Sequence, residues 1–259
     1  MLPVLQIGPL ALQTPGLILL TGIWIGLWLS ERHAPRHGLD ASNLYNLVLV
    51  AVLFGLVGGR FFYILRYSEI FFASPRSMIS INPSLFDRSG ALMSGLLAAL
   101  VYGGRKKLPF WPTLDALTPG LAVFGISLSL ANLASGNGFG ATTQVAWAIE
   151  LWGAERHPSQ IYESLSAALI LVYILSLLRS SELRPAGYPF LVFVALSAGR
   201  RLFLEAFRGD SVLIANSIRL AQVLAWLVLA ASLWLISRRS GARSDSSTPI
   251  QDTSIQETG

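Results

Sequence analysis

Four ionisable residues lie close together near the end of a long apolar segment: Arg200, Arg201, Glu205 and Arg208, all within nine positions. A charged side chain in the hydrocarbon of a bilayer is costly unless it is paired or hydrated. On a helix that turns about 100° per residue, Arg201, Glu205 and Arg208 fall on one face, and Arg201 can pair with Glu205. The stripe either faces a polar cavity or marks a helix end whose arginines extend into water. We favour the cavity, because Glu205 cannot extend to the surface as an arginine does.

The composition is typical of a membrane protein. Of the 259 residues, 53% are hydrophobic and 13% are charged, and the mean hydropathy is +0.57, whereas soluble domains carry roughly 25% charged residues. The net charge of +5 does not indicate a nucleic-acid partner, because the cations lie in short loops between apolar segments. The chain has no cysteine, which excludes disulfides, cysteine metal sites and a cysteine nucleophile.

Seven apolar segments predict an all-α integral membrane protein with about seven transmembrane helices. Each is near the ~20 residues that cross a bilayer, although the first and third are short. The segments are about 15–30, 44–65, 90–102, 117–134, 159–178, 185–207 and 218–236.

The distribution of charge predicts the orientation of these segments. The loops on one side, together with the tail, carry ten arginines and lysines, and the longer segments on the other side carry six. The positive-inside rule therefore predicts an outer N-terminus and a cytoplasmic C-terminus. We expect residues 1–239 to form one membrane domain and the polar residues 240–259 to form a disordered cytoplasmic tail.

Two glycine-containing clusters lie at membrane depth. In residues 58–60, two glycines precede Arg60, which is either a buried cation or an arginine that reaches the surface beside a packing pair. Residues 132–140 contain Asn132, Asn137 and three glycines. This segment is either an ordinary loop or irregular backbone that lines a cavity and offers amides to a phosphate or carbonyl oxygen.

A third cluster, residues 156–163, has the sequence RHPSQIYE. The proline predicts a helix start, with Ser159, Tyr162 and Glu163 within one turn of each other. His157 either caps this helix or takes part in chemistry. In the predicted orientation all these clusters fall on the outer half of the membrane and imply an arginine-rich cavity. Because arginine binds phosphate in a bidentate manner, a phospholipid head group is the expected guest.

These residues resemble the bacterial prolipoprotein diacylglyceryl transferases over about residues 5–237. The string HPSQ-x-YE is specific, and the ordered set of matches is stronger than any single member. The matching pieces are residues 7–12, Gly58-Gly59-Arg60, Asp115, Pro119, Asn132, Gly140, residues 157–163, Arg201, Glu205 and Arg208.

The resemblance implies a seven-span enzyme of the bacterial inner membrane. Such an enzyme moves the diacylglyceryl group of phosphatidylglycerol onto the thiol of a lipobox cysteine in a secreted precursor, and releases glycerol phosphate. No metal or soluble cofactor is implied. Arg201 and Glu205 match the family's essential arginine and its paired carboxylate. This chain has a serine where the family has a histidine, and we expect His157 to serve as the base in its place. The residues expected to bind substrate are Arg60, Asn132, Gly140, Ser159, Gln160, Tyr162, Glu163 and Arg208.

The chain departs from the family pattern at several positions. Ser94 stands where the family has a histidine, and Ser129 stands where it has an arginine that faces the phosphate. Pro15 and Ser197 replace expected tyrosines, and Asn137 replaces an acidic residue. Histidine is the usual base near neutral pH, so two hypotheses stay open. The chain is either a divergent but active transferase, or a catalytically degenerate paralogue that acts as a phospholipid-binding or accessory membrane protein.

Overall fold

The fold is a bundle of long helices with three short hairpins at its periphery. The computed structural model describes residues 4–7, 10–73, 86–180, 184–214 and 218–244. In these ranges the helices are α1 Thr14–His33, α2 Ala41–Arg66, α3 Ser68–Ala73, α4 Arg88–Arg105, α5 Phe110–Ser135, α6 Ser159–Arg179, α7 Tyr188–Leu204 and α8 Leu220–Ser244. Two 3-10 turns, Ala34–His37 and Glu205–Phe207, follow α1 and α7.

Three antiparallel two-stranded hairpins complete the described structure. Strand β1 Val4–Ile7 pairs with β2 Leu10–Gln13, β3 Ile149–Leu151 with β4 Ala154–Arg156, and β5 Leu213–Ile214 with β6 Ile218–Arg219. The prediction of a mainly helical membrane protein is confirmed, and the hairpins are additions that the apolar pattern did not indicate.

Each of the seven apolar segments corresponds to a separate long helix, although segment 185–207 extends beyond both ends of α7 and segment 218–236 begins in β6. By length and apolar composition, five of the described helices are able to cross a membrane: α1 with its following turn, α2, α5, α6 and α8. The helix α4 has only 18 residues and an arginine at each end, and α7 has 17 residues that include Arg200 and Arg201. Residues 240–244 continue α8, and the rest of the predicted tail lies outside the described residues.

Small residues let pairs of helices approach closely. Gly26 of α1 faces the backbone of Gly120 in α5, and Gly58 of α2 faces the side chain of Ser94 in α4, so that a methyl group at either glycine would collide. Such small-residue contacts are common between membrane helices. The helix α2 packs mainly against α4, whereas α5, α6 and α7 pack together around Ile170 and Ile174.

The buried side chain of Asp115 fixes the start of α7. Its Oδ2 accepts a hydrogen bond from the amide of Gly187 at 2.6 Å, and its Oδ1 accepts one from Phe190 at 3.0 Å. The first amides of a helix have no partner within the helix, and Asp115 supplies one from α5. From the other side, Arg239 donates to the carbonyl of Ala186. The position of the arginines later in α7 therefore depends on this anchor.

We expect Asp115→Ala to lower the free energy of unfolding by about 1–3 kcal/mol, because two buried amides lose their acceptor. Thermal unfolding of the purified protein in detergent measures this effect. The matched control is Asp40→Ala, which removes the exposed N-cap of α2, where Asp40 accepts from the Ser42 amide at 3.0 Å. An equal loss in both variants would contradict the special role of Asp115.

Candidate active site

Glu163, near the start of α6, is the centre of the polar cluster. Its Oε1 lies 2.8 Å from Nη1 of Arg208 and 3.4 Å from Nη1 of Arg201. Its main-chain carbonyl accepts a hydrogen bond from Nη1 of Arg200 at 2.8 Å. The side chains of Glu163 and Arg208 are only 9% and 11% exposed, so this pair interacts in surroundings that hold little water, whereas Arg201 is 37% exposed. The sequence predicted Glu163 as a substrate-binding residue and did not predict that three arginines meet there.

The predicted pair on α7 forms. Nη2 of Arg201 lies 2.9 Å from Oε2 of Glu205, whose side chain is 1% exposed. Arg208 does not extend the same α-helical face, because α7 ends at Leu204 and continues as a 3-10 turn. Arg208 then adopts an extended conformation and forms a β-bridge with Gly140. Its Nε lies 4.0 Å from Oε2 of Glu205, so it still joins the cluster.

Asp210 is a further member that the sequence reasoning missed. Arg208 donates from Nε to Oδ1 of Asp210 at 2.9 Å and from Nη2 to Oδ2 at 2.7 Å. The only sequence signal is an arginine two residues before an aspartate just after a helix. Burial by itself would lower the pKa of Arg208, but the hydrogen bonds and charges of Asp210 and Glu163 outweigh it and raise that pKa. Arg208 is therefore a permanent cation.

The glycine-rich loop after α5 is tied to the start of α6 and to the end of α7. The Ala141 amide donates to the Phe207 carbonyl at 2.8 Å, and the Gly209 amide donates to the Phe139 carbonyl at 2.9 Å. A side chain at Gly140 would collide with the main chain of His157. The end of α5, the start of α6 and the end of α7 thus meet at one end of the bundle.

The side chains of Ser159 and Gln160, at the start of α6, hold this glycine-rich loop. The hydroxyl of Ser159 donates to the Gly138 carbonyl at 2.7 Å, and the side-chain amide of Gln160 donates to the Asn137 carbonyl at 3.0 Å. Both side chains are almost completely buried. These contacts indicate that Ser159 and Gln160 hold the loop, whereas the sequence predicted that they contact a substrate.

His157 and Tyr162 lie together at the edge of the cluster. The hydroxyl of Tyr162 is 3.5 Å from Nδ1 of His157, and it accepts a hydrogen bond from Nε1 of Trp147 at 2.7 Å. The ring of Phe207 packs against the histidine ring with centroids 5.3 Å apart. His157 is half-buried, and its backbone packs against Gly140, which places it beside the segment that carries Arg208.

Of the remaining predicted residues, Arg60 lies on α2 and Asn132 lies near the end of α5. The Arg60 guanidinium lies 5.1 Å from the ring centroid of Phe71, on α2, which packs mainly against α4. In the described part of the chain, the side chains that form ion pairs with Glu163 and Glu205 are those of Arg201 and Arg208. Asn132 is half-buried near the end of α5.

Ser94 and Ser129, the serines at positions that differ from the family pattern, make contacts within the helix bundle. The hydroxyl of Ser129 donates to the Gly125 carbonyl of its own helix at 3.2 Å, and the residue is 3% exposed. Ser94 packs into the space above Gly58.

The helices and the cluster define a polytopic membrane protein with a built arginine–carboxylate site at one end of the bundle. A family model described as prolipoprotein diacylglyceryl transferase matches residues 3–238. This chain belongs to that family.

Similar proteins carry the name phosphatidylglycerol–prolipoprotein diacylglyceryl transferase. The protein from Trichormus variabilis is 29% identical over 257 residues, which cover 92% of this chain and 90% of the relative. The protein from Photobacterium profundum is 30% identical over 234 residues, with 86% and 87% covered. The protein from Geobacillus kaustophilus is 30% identical over 255 residues, with 92% of each covered.

We expect Gly140→Ala to destabilise the site, because its methyl group would collide with the His157 carbonyl and force apart the loop and the Arg208 segment. The cost should be about 1–3 kcal/mol, as for other overpacking changes, and thermal unfolding would show it. Gly199→Ala on α7 is the matched control, because a methyl group there meets nothing within 4 Å. If both variants unfold alike, the close approach at Gly140 does not matter for stability.

Proposed function

We propose that this chain is a multi-pass enzyme of the bacterial inner membrane that transfers the diacylglyceryl group of phosphatidylglycerol to the thiol of a lipobox cysteine in a prolipoprotein. The observation that carries the proposal is the cluster of Arg201 and Arg208 with Glu163 and Glu205 at the end of α7. The family membership and the names of the relatives support the substrate and the reaction.

The proposed topology has seven membrane spans, with the N-terminus outside and the C-terminus in the cytoplasm. Its support is the excess of arginines and lysines in the loops on one side. The short helices α4 and α7 then count as spans, because each is packed against a longer helix. In this orientation the arginine cluster lies near the outer leaflet, where a secreted precursor arrives.

The chemistry assigned to the cluster is displacement at a glyceryl carbon. The cysteine sulfur attacks the carbon that carries the phosphate ester, a C–S bond forms and the C–O bond breaks. Glycerol phosphate leaves with the bonding electron pair, and the thiol proton passes to a base or to the departing phosphate. Arginine forks suit phosphate oxygens and offset the charge that develops on them.

We assign individual roles from this geometry. Arg201 binds the phosphate, and Glu205 holds Arg201 in place through the 2.9 Å ion pair. His157 is the proposed base, because it lies beside the loop that binds Arg208. Asn132 and Gly140 border the phosphate, and Tyr162 lines the entrance with Trp147.

A second function is favoured by one specific observation. Ser94 and Ser129 stand where the family pattern has a histidine and an arginine, and both serines are engaged in packing or in bonds within their own helix. A chain without these two groups is able to keep the phospholipid site and yet lose transfer. Such a paralogue would act as a phospholipid-binding or accessory membrane protein.

A transfer assay decides between the two functions. Purified protein in nanodiscs with phosphatidylglycerol is mixed with a lipobox peptide, and mass spectrometry detects an added diacylglyceryl group. We expect a mass shift that Arg201→Ala and Glu205→Gln each abolish, because one loses the phosphate contact and the other the ion pair that holds it. Arg66→Ala is the control, because Arg66 is exposed and pairs only loosely with Asp87, at 3.7 Å. No shift with wild type while phospholipid still co-purifies would contradict the transferase function.

Restoring the two departing residues gives an independent test. In an active enzyme we expect the double variant Ser94→His, Ser129→Arg to bring no gain in transfer, because the wild type then already transfers without these two groups. The same mass assay measures it. A large gain from an inactive wild type would favour the degenerate paralogue.

A further inference from the structure

Arg200 differs from the other two arginines of the cluster in how its charge is balanced. Arg201 and Arg208 each lie within ion-pair distance of carboxylates, namely Glu163, Glu205 and Asp210. Within the described ranges, Arg200 has no carboxylate so close, and its hydrogen bond goes to a neutral carbonyl, that of Glu163. Arg200 is therefore a cation of this cluster that makes no ion pair with a described residue at this distance, and its charge can be engaged by an anion.

Arg200 also borders a space inside the bundle. A cavity of about 40 Å³ lies between α5, α6 and α7, and its lining includes Gly125, Ala167, Ser197 and Arg200. This volume suits about one water molecule. A methyl group at Gly125 would meet nothing within 4 Å, which agrees with open space on this side of α5. The guanidinium of Arg200 thus lies between the cavity and the charged cluster.

The same part of α5 carries Ser129. Its hydroxyl bonds to the carbonyl of Gly125, a lining residue of the cavity, and its side chain is buried. Arg200 therefore reaches, from α7, the region of α5 one turn from Ser129. Arg200 on α7 can therefore supply a positive charge to the space beside position 129 on α5, where this chain has a serine.

We propose that Arg200 binds the phosphate of an anionic phospholipid and supplies the cation that position 129 does not. This inference rests on the proposed function. The recognised chemistry is a phosphate oxyanion, and arginine offers it paired N–H donors that lysine does not. Arg201, which contacts the phosphate in the proposed function, and Arg208 are both paired with carboxylates, so Arg200 adds to the attraction of the site for the anion.

Lipid binding to the full chain in detergent, followed by native mass spectrometry, tests this inference. The probes are phosphatidylglycerol, phosphatidylcholine as a zwitterionic lipid, and glycerol phosphate as a soluble anion. We expect Arg200→Ala to weaken phosphatidylglycerol binding by about tenfold or more, as for the loss of one charge-assisted contact, and to leave phosphatidylcholine binding unchanged. Competition by glycerol phosphate alone would assign the site to free phosphate and would overturn the lipid proposal.

Three variants guard against a merely structural effect. Arg36→Ala is the matched control, because Nη1 of Arg36 also donates to a main-chain carbonyl of α6, that of Leu178 at 3.2 Å, at the opposite end of the helix. It should leave lipid selectivity unchanged. Arg200→Lys keeps the charge and should give an intermediate affinity, and Ser129→Arg added to Arg200→Ala should restore selectivity for phosphatidylglycerol.

The outcomes separate this inference from the proposed function. If wild type binds and transfers from phosphatidylglycerol and Arg200→Ala does so equally well, the role of Arg200 is overturned and the proposed function stands. If Arg200→Ala weakens both lipids equally and Ser129→Arg does not restore selectivity, Arg200 is structural. If wild type shows no preference for the anionic lipid and no transfer, both proposals fail.

Discussion

The carboxylate of Glu163 is the contact on which the site depends. It lies at the start of α6 and draws together Arg201 in α7 and Arg208 after α7, at 3.4 and 2.8 Å. In surroundings with little water, an unpaired charge is far more costly than a paired one. The pairing therefore fixes how the ends of α6 and α7 meet, and it offsets the repulsion between the neighbouring guanidinium groups.

The remainder of the fold serves this arrangement from both ends of α7. At one end, Asp115 and Arg239 hold the first turn of the helix. At the other, the backbone of the glycine-rich loop pairs with the segment around Arg208, and the buried side chains of Ser159 and Gln160 hold the loop. A rigid frame of this kind is what positions charged groups for a lipid phosphate. Ser94 and Ser129 take part in this frame, Ser94 by packing against Gly58 and Ser129 by a hydrogen bond to the Gly125 carbonyl.

The sequence predicted the features that depend on local pattern. The seven apolar segments each correspond largely to a separate helix, and the spacing of Arg201 and Glu205 predicted their ion pair. The sequence did not predict the central position of Glu163. That position depends on how α6 packs against α7, and the spacing of residues along a single helix does not contain this information. The sequence analysis grouped Arg60 with the other arginines because its predicted depth in the membrane is similar. In the structure Arg60 lies on α2, beside Phe71. Depth in the membrane is readable from sequence, whereas lateral position is not.

The most direct test of the account is a structure of the full chain with phosphatidylglycerol bound. We predict that the lipid phosphate lies within hydrogen-bond distance, about 3 Å, of the guanidinium groups at the end of α7, with Arg200 among its donors. The acyl chains would then extend along the apolar surface of the bundle. A phosphate held instead beside Arg60, between α2 and α4, with the Glu163 cluster untouched, would contradict the central claim that the cluster is the phosphate-binding site.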